Sequence, residues 1–259
     1  MKIAQILGSF ALAAGIAAAA TPASAQQQIE SLGLTVTTTP GVVSDYLFRG
    51  ISQTRDRPAA QITLDVEHSS GLYVGVFASN AYFAGTNIRQ EVDGIVGYRF
   101  TVAGVKLDAS AIYIGYPGYT EPPGGFQAAW WETQLRASYE IDSVKLLGFF
   151  AWSPDFNFQS GNGFYLEGGV DISLPFDFTL SGRVGRQWID RNFASVNRPN
   201  DGYWGAPDYW TGSIAVSREI AFGFIGTLGA SFTNISQNEC FGGQKICDNR
   251  IYAAITRPF

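Results

Sequence analysis

Charge is scarce in this 259-residue chain: Asp, Glu, Lys and Arg together make up 15%, against roughly 25% in an ordinary soluble domain. Long apolar runs are scarce too. Beyond the amino-terminal stretch, no segment approaches 18 uninterrupted apolar residues, so no helical membrane span is expected. There is one histidine, His68. A Ser-His or Asp-His hydrolytic pair needs His as its base, and no partner set can be assembled around this one. The same shortage argues against a metal centre, since no His-x-x-x-His or equivalent cluster exists, and no Gly-x-x-x-x-Gly-Lys-Ser/Thr phosphate loop is present. The chain is therefore read as a non-enzyme with no cofactor and no metal. Basic residues are in deficit. Without Lys2, which falls in an expected leader, 16 basic residues face 22 acidic ones, and nucleic acid is disfavoured as a partner.

The leader is read from Lys2, the apolar run Ile6–Ala20, and the small-x-small site Ala23-Ser24-Ala25. These are the parts of a signal peptide over residues 1–25, cleaved before Gln26. The run is about 15 residues, short for spanning ~30 Å of hydrocarbon. Two cysteines remain in the mature chain, Cys240 and Cys247. In an exported protein they are expected to form a disulfide across a loop tip, a metal site being the poorer alternative.

What the chain has in abundance is aromatics (14%) and glycine (30 residues). It also alternates. In Gln61–Glu67 the apolar residues Ile62, Leu64 and Val66 interleave with Gln61, Thr63, Asp65 and Glu67, the period of two of a strand with one apolar face. The same pattern recurs to the last residue. Strands are expected at Leu34–Arg49, Pro58–His68, Leu72–Asn80, Ile88–Phe100, Val105–Tyr116, Gln127–Ile141, Val144–Trp152, Gly163–Leu174, Phe178–Ile189, Asp208–Ile220, Phe222–Asn234 and Arg250–Phe259. Their connections alternate long and short without a break, giving six long loops and five tight turns. The alternation predicts an all-β fold, an antiparallel 12-stranded transmembrane β-barrel with short periplasmic turns and long extracellular loops. Residues 26–259 form that single domain.

Aromatics gather at the expected strand ends. Phe48, Tyr113, Tyr116, Trp130, Trp131, Trp152, Trp188, Trp210 and Phe232 lie near the loops. Tyr98, Phe100, Tyr139, Phe176, Phe178, Phe222 and Phe259 lie near the turns. Two such belts are what amphipathic rings form at the two interfaces of a bilayer. Outer-membrane lipid is thus an expected partner. The terminal Phe259, on the last alternating strand, marks an expected contact with the barrel assembly machinery.

The stretch Gly41-Val42-Val43-Ser44-Asp45-Tyr46-Leu47-Phe48-Arg49-Gly50-Ile51-Ser52-Gln53-Thr54, with Pro58-Ala59 and Gln61 beyond it, resembles the opening signature of the TorF family of porins. That family is also catalogued as Gcw_chp, a proteobacterial group of unknown function. Gly71–Asn80 resembles the family's next block. The resemblance implies an outer-membrane channel and transfers no catalytic residues.

Strand alternation assigns the candidate lumen-lining residues. They are Asp45, Arg49, Asp65, Glu67, Glu91, Asp93, Arg99, Asp108, Glu132, Arg136, Glu167, Asp171 and Arg183, joined by Glu140, Lys106 and Glu219. Eleven acids against five bases predict an acidic lumen that favours cations or neutral small solutes. Two outcomes stay open at this level. One is a porin-like pore for passive diffusion. The other is a barrel plugged by lumen ion pairs, acting through its loops as a structural or ligand-binding element.

Overall fold

The computed structural model describes residues 27–195 and 202–259. Twelve strands form a closed antiparallel barrel. They are β1 (Leu34–Val43), β2 (Ala59–His68), β3 (Leu72–Asn80), β4 (Gln90–Val102), β5 (Val105–Gly115), β6 (Trp130–Ile141), β7 (Val144–Ser153), β8 (Gly163–Ser173), β9 (Thr179–Ile189), β10 (Tyr209–Ala221), β11 (Phe224–Thr233) and β12 (Arg250–Thr256). Each pairs with its sequence neighbour, and β12 closes on β1. The expected signal peptide lies outside the described residues, as does part of the longest expected loop, Asp190–Pro207. The described segment before the barrel, Gln27–Ile29, pairs with the start of β1.

Closure follows from the solvent. In hydrocarbon an open sheet edge has no water to bond to, so the last strand must meet the first. Three residue pairs make the β12–β1 ladder, Ala254 with Val43, Ile255 with Val42 and Thr256 with Gly41. The chain end extends the seam. Phe259 N–H donates to the Thr38 carbonyl at 2.7 Å, and Thr38 N–H donates to the Phe259 carbonyl at 3.1 Å. Pro40 accepts from Arg257 N–H at 3.0 Å and, having no N–H, returns nothing.

The faces are inverted relative to a soluble protein. On β3, Leu72, Val74 and Val76 are exposed on the outside, while Tyr73, Phe77 and Ser79 are buried within. On β4, Val92, Val96 and Tyr98 face out, and Glu91, Asp93 and Ile95 face in. The outer wall is a continuous apolar surface suited to lipid, and charge is confined almost wholly to the interior.

Glycine makes room for the inward tyrosines. Tyr73 pairs with Gly97 and Tyr252 with Gly229 across neighbouring strands. A Cβ on Gly97 would sit 2.5 Å from Tyr73 Cε1, and one on Gly229 would sit 2.6 Å from Tyr252 Cζ. The rings lie flat over backbone that carries no side chain, a packing device known to pin strand register.

The observed strands follow the expected ones closely, with one consequential exception. Strand one was expected to run through Arg49, followed by an outward polar loop. Instead β1 ends at Val43, and Ser44–Pro58 turns into the barrel. Three aromatic-belt expectations also change, because Trp130, Tyr116 and Phe48 face inward. Trp130 is 5% exposed, whereas its neighbour Trp131 is 58% exposed.

The tyrosine-over-glycine contacts generate a prediction. Gly97→Val should destabilise the barrel by about 1–3 kcal/mol through overpacking, lowering the temperature at which the folded electrophoretic band is lost. Gly94→Val, where a Cβ meets nothing within 4 Å, should leave that temperature near wild type.

Candidate functional site

The site is the lumen, and its upper half is shaped by the Ser44–Pro58 segment. Leu47–Phe48 pairs with Ile51–Ser52 as a minimal hairpin. Its tip is Arg49-Gly50, both at positive φ, 48° and 84°, as a two-residue type I′ turn requires. Glycine meets this demand freely, and Arg49 is held there by its contacts. The base of the hairpin is clasped by Asp45, whose Oδ1 accepts from Ser52 Oγ at 2.5 Å and Thr54 Oγ1 at 2.8 Å. Its Oδ2 pairs with Arg250 on β12 at 2.6 Å. Arg250 also pairs with Asp56.

The tip reaches across the barrel to the far wall. Arg49 Nη2 meets Glu132 of β6 at 2.7 Å, and Nη1 donates to Gln187 of β9 at 2.7 Å. Its guanidinium carbon lies 4.5 Å from the Tyr165 ring centroid and 4.6 Å from that of Phe48. Gly50 abuts β10, since a Cβ there would stand 2.5 Å from Thr211 Oγ1. Arg49 and Glu132 side chains are 6% and 1% exposed, so each is desolvated and neither tolerates loss of the other.

Above the hairpin the outer loops pack on one another. Trp204 stacks edge-on against Phe156 and Phe241, and Phe156 packs on Trp130. The Cys240–Cys247 disulfide joins the same buried cluster. Ser52 N–H donates to the Ile246 carbonyl at 2.9 Å, and Tyr82 N–H to the Gln53 carbonyl at 2.7 Å. The hairpin is therefore braced by two other loops.

Below the tip lies a cavity of about 170 Å³. Its lining includes Glu91, Asp93, Glu132, Gln134, Arg136, Lys145, Glu167, Asp171 and Arg183. Glu91 accepts from the Tyr46 hydroxyl. Burial, and then the nearby Glu91 carboxylate, raise the Tyr46 phenol well above its ordinary value, which keeps it the donor. Asp93 is 2% exposed, and its Oδ1 has no hydrogen-bond partner. Arg136 lies over the Phe149 ring, 4.4 Å from its centroid. Glu167 accepts from Tyr165 at 2.6 Å, and Asp171 pairs with Arg183 at 2.7 Å.

Toward the periplasm a second cluster crosses four strands. Arg99 on β4 contacts Asp65 at 2.9 Å and Glu67 at 2.5 Å on β2, and Asp108 on β5 at 3.3 Å. Tyr73 of β3 donates to Asp108 at 2.8 Å and lies 3.7 Å from the guanidinium carbon, measured to its ring centroid. Lys106 and Glu140 pair at 3.1 Å near the rim. His68 sits on the outer face at the same end, its Nδ1 2.9 Å from Ser70 Oγ.

All thirteen candidate residues lie on the lumen side, but they do not act alike. Asp45 holds the hairpin, Asp65, Glu67 and Asp108 are tied to Arg99, and Asp171 is tied to Arg183. The cavity keeps Glu91, Asp93, Glu132, Glu167 and Arg136. Two interior bases were missed. Lys145 shares its face with Leu147 and Phe149, so alternation disguises it as part of an apolar row. Arg250 stands at the very start of β12, where a strand boundary was hard to place.

Closed, twelve-stranded and apolar outside, with a charged interior, the chain is an outer-membrane β-barrel. It belongs to the Gcw_chp family, described as bacterial proteins of unknown function, whose model matches residues 27–258. No curated protein matches it in sequence. Among solved structures, the KdgM porin superposes with a TM-score of 0.55 at 8% identity, covering 86% of this chain and 99% of that one. The KdgM porin in complex with disordered oligogalacturonate gives 0.53 at 9%, covering 86% and 98%. The NanC porin gives 0.53 at 10%, covering 85% and 97%.

The Arg99 cluster sets up a stability test. Arg99→Met should leave three interior carboxylates without their shared cation and cost about 3 kcal/mol or more, read as a loss of the folded band at lower temperature or urea concentration. Lys106→Met, whose partner Glu140 is about half exposed, should cost less than about 1 kcal/mol.

Proposed function

We propose that this protein is a porin-like channel for passive diffusion of small solutes, narrowed by the Ser44–Pro58 hairpin. The observation that carries the proposal is the hairpin itself: a structured segment spans a polar, charged lumen and ends beside a cavity lined by both charges. The eyelet is the gap beneath Arg49. The fold shared with porins supports the reading, as does a KdgM structure that holds an oligogalacturonate, and so does the TorF-like signature, which lies over this segment. The chain would reach the outer membrane by way of the signal peptide at 1–25 and assemble through the strand ending at Phe259.

The cation preference expected of the lumen is retained as part of the proposal, on narrower ground than a count of acids. Of the cavity's carboxylates, Glu132 is paired with Arg49 and Asp171 with Arg183, and Glu167 accepts from Tyr165, which leaves Glu91 and Asp93 side by side on β4. They are proposed as the selectivity element, with Arg136 on β6 and Arg183 on β9 lining the same cavity. A second reading has its own support. The hairpin and the packed loops fill much of the outer mouth, which favours a plugged barrel whose role is structural or ligand-binding.

Single-channel recording in a planar bilayer tests both readings. Discrete steps, with a reversal potential toward cations under a salt gradient, are expected of the wild type. Asp93→Asn should move that potential toward zero, and Arg49→Ala should raise the unit conductance by freeing the hairpin tip. A folded, heat-modifiable protein that stays silent, in wild type and Arg49→Ala alike, would sink the pore and leave the plugged barrel.

A further inference from the structure

Every carboxylate on a described barrel strand points inward, but two guanidiniums on those strands do not. Arg186 of β9 and Arg218 of β10 alternate onto the lipid face. Arg218 lies near the periplasmic turns, 5.0 Å from the centroid of Phe178. Arg186 lies at the opposite end, three residues from the extracellular end of β9. It is directly opposite Trp210 on β10 and Leu166 on β8.

Arg186 sits between two indoles. Its guanidinium carbon is 5.3 Å from the Trp188 ring and 5.1 Å from the Trp210 ring. Its Nε is buried and has no acceptor. No outward strand carboxylate exists among the described residues to meet it. The acids flanking these strands are engaged elsewhere. Asp190 Oδ2 accepts from Asn162 N and Nδ2 at 3.0 and 2.9 Å, and Asp208 Oδ1 from Ile189 N and Asn192 Nδ2 at 3.0 and 2.9 Å.

A lipid-facing cation is costly in the bilayer core and tolerated only near the interface. There its planar fork needs an oxyanion that can come from the lipid side, and phosphate accepts it in the bidentate geometry guanidinium offers. The indoles hold the fork flat and at headgroup depth. We infer that Arg186, clamped between Trp188 and Trp210, binds a phosphate of an outer-leaflet lipid. The ligand class is a phosphorylated glycolipid such as lipid A, with its acyl chains along the apolar wall around Leu166 and Val184. The inference rests on the outer-membrane reading and not on pore activity.

The test uses the full mature protein refolded in zwitterionic micelles, with lipid A, dephosphorylated lipid A and inorganic phosphate as probes. Binding is read by native mass spectrometry and by the rise in unfolding temperature. Lipid A should bind and stabilise the wild type, while inorganic phosphate and the dephosphorylated lipid should not. Arg186→Gln should weaken lipid A binding about tenfold, the scale of one charge-assisted contact, and Arg218→Gln should leave it unchanged. Should Arg186→Gln fail to refold, Arg186→Lys serves, with a smaller loss because charge is kept and the fork is not. Wild-type affinity in a folded Arg186 variant, or equal binding of the dephosphorylated lipid, overturns the proposal. Rescue by inorganic phosphate overturns the lipid as its source. A wild-type protein that never gives a heat-modifiable band in micelles overturns the outer-membrane reading beneath it.

Discussion

Backbone hydrogen bonding in a solvent that offers none is the constraint on which this structure depends. Each peptide group of the wall must be satisfied by a neighbouring strand. Twelve strands can do this only as a closed ring, and the ring is weakest where sequence neighbours run out. At that seam β12 and β1 share three ladder pairs. Pro40 withholds a donor there, and the reciprocal bonds between Thr38 and Phe259 restore two. The terminal residue is thus a structural member of the wall, which gives its side chain and its position separate reasons to matter.

Closure creates an interior too narrow to be left bare and too wide for side chains alone to fill. The inner wall answers in two ways. Near the periplasm, Arg99 of β4 gathers two carboxylates from β2 and one from β5, so charge of both signs is buried in mutual satisfaction. Near the outer mouth the chain itself enters. The Asp45 clasp turns β1 inward after Val43, and the Arg49 tip is fixed on β6 and β9. The two devices differ in kind. The first could be replaced by apolar packing without changing the shape of the lumen above it. The second sets the shape.

Much of this was readable from sequence because lipid makes the pattern strict. A period-two alternation with connections that swap long and short leaves little room for another fold, and Leu72–Asn80 is identical in expectation and structure. The first strand was misread for a physical reason. Tyr46, Leu47 and Phe48 look like a continuing wall strand, because a hairpin inside the barrel is also apolar where it packs under loops. Only Asp45 followed by Ser52 and Thr54, with Gly50 between, hints at the turn. Lys145 was lost to the opposite error. The lumen face of β7 carries Leu147 and Phe149, so polarity ceases to mark the inside. Trp130 and Trp131 show the limit of composition: adjacent and chemically identical, one packs under the loops and the other faces lipid.

The electrostatics of the lumen follow from pairing and not from totals. Eleven inward acids against five bases suggested a strongly acidic lumen, and Lys145 and Arg250 bring the bases to seven. Paired charges a few ångströms apart act on a passing ion as dipoles, whose field falls off faster than that of a lone charge. Asp65, Glu67, Asp108 and Asp171 are each within 3.3 Å of an arginine, and Asp45 is bound to Arg250. Their influence on an ion in the eyelet is therefore small. What is left to act there is the group Glu91 and Asp93 on β4 and Glu167 on β8, with Arg136 on β6 beside them in the cavity lining. On the pore reading proposed above, selectivity would rest on these few side chains at one constriction and not on the bulk acidity of the chain.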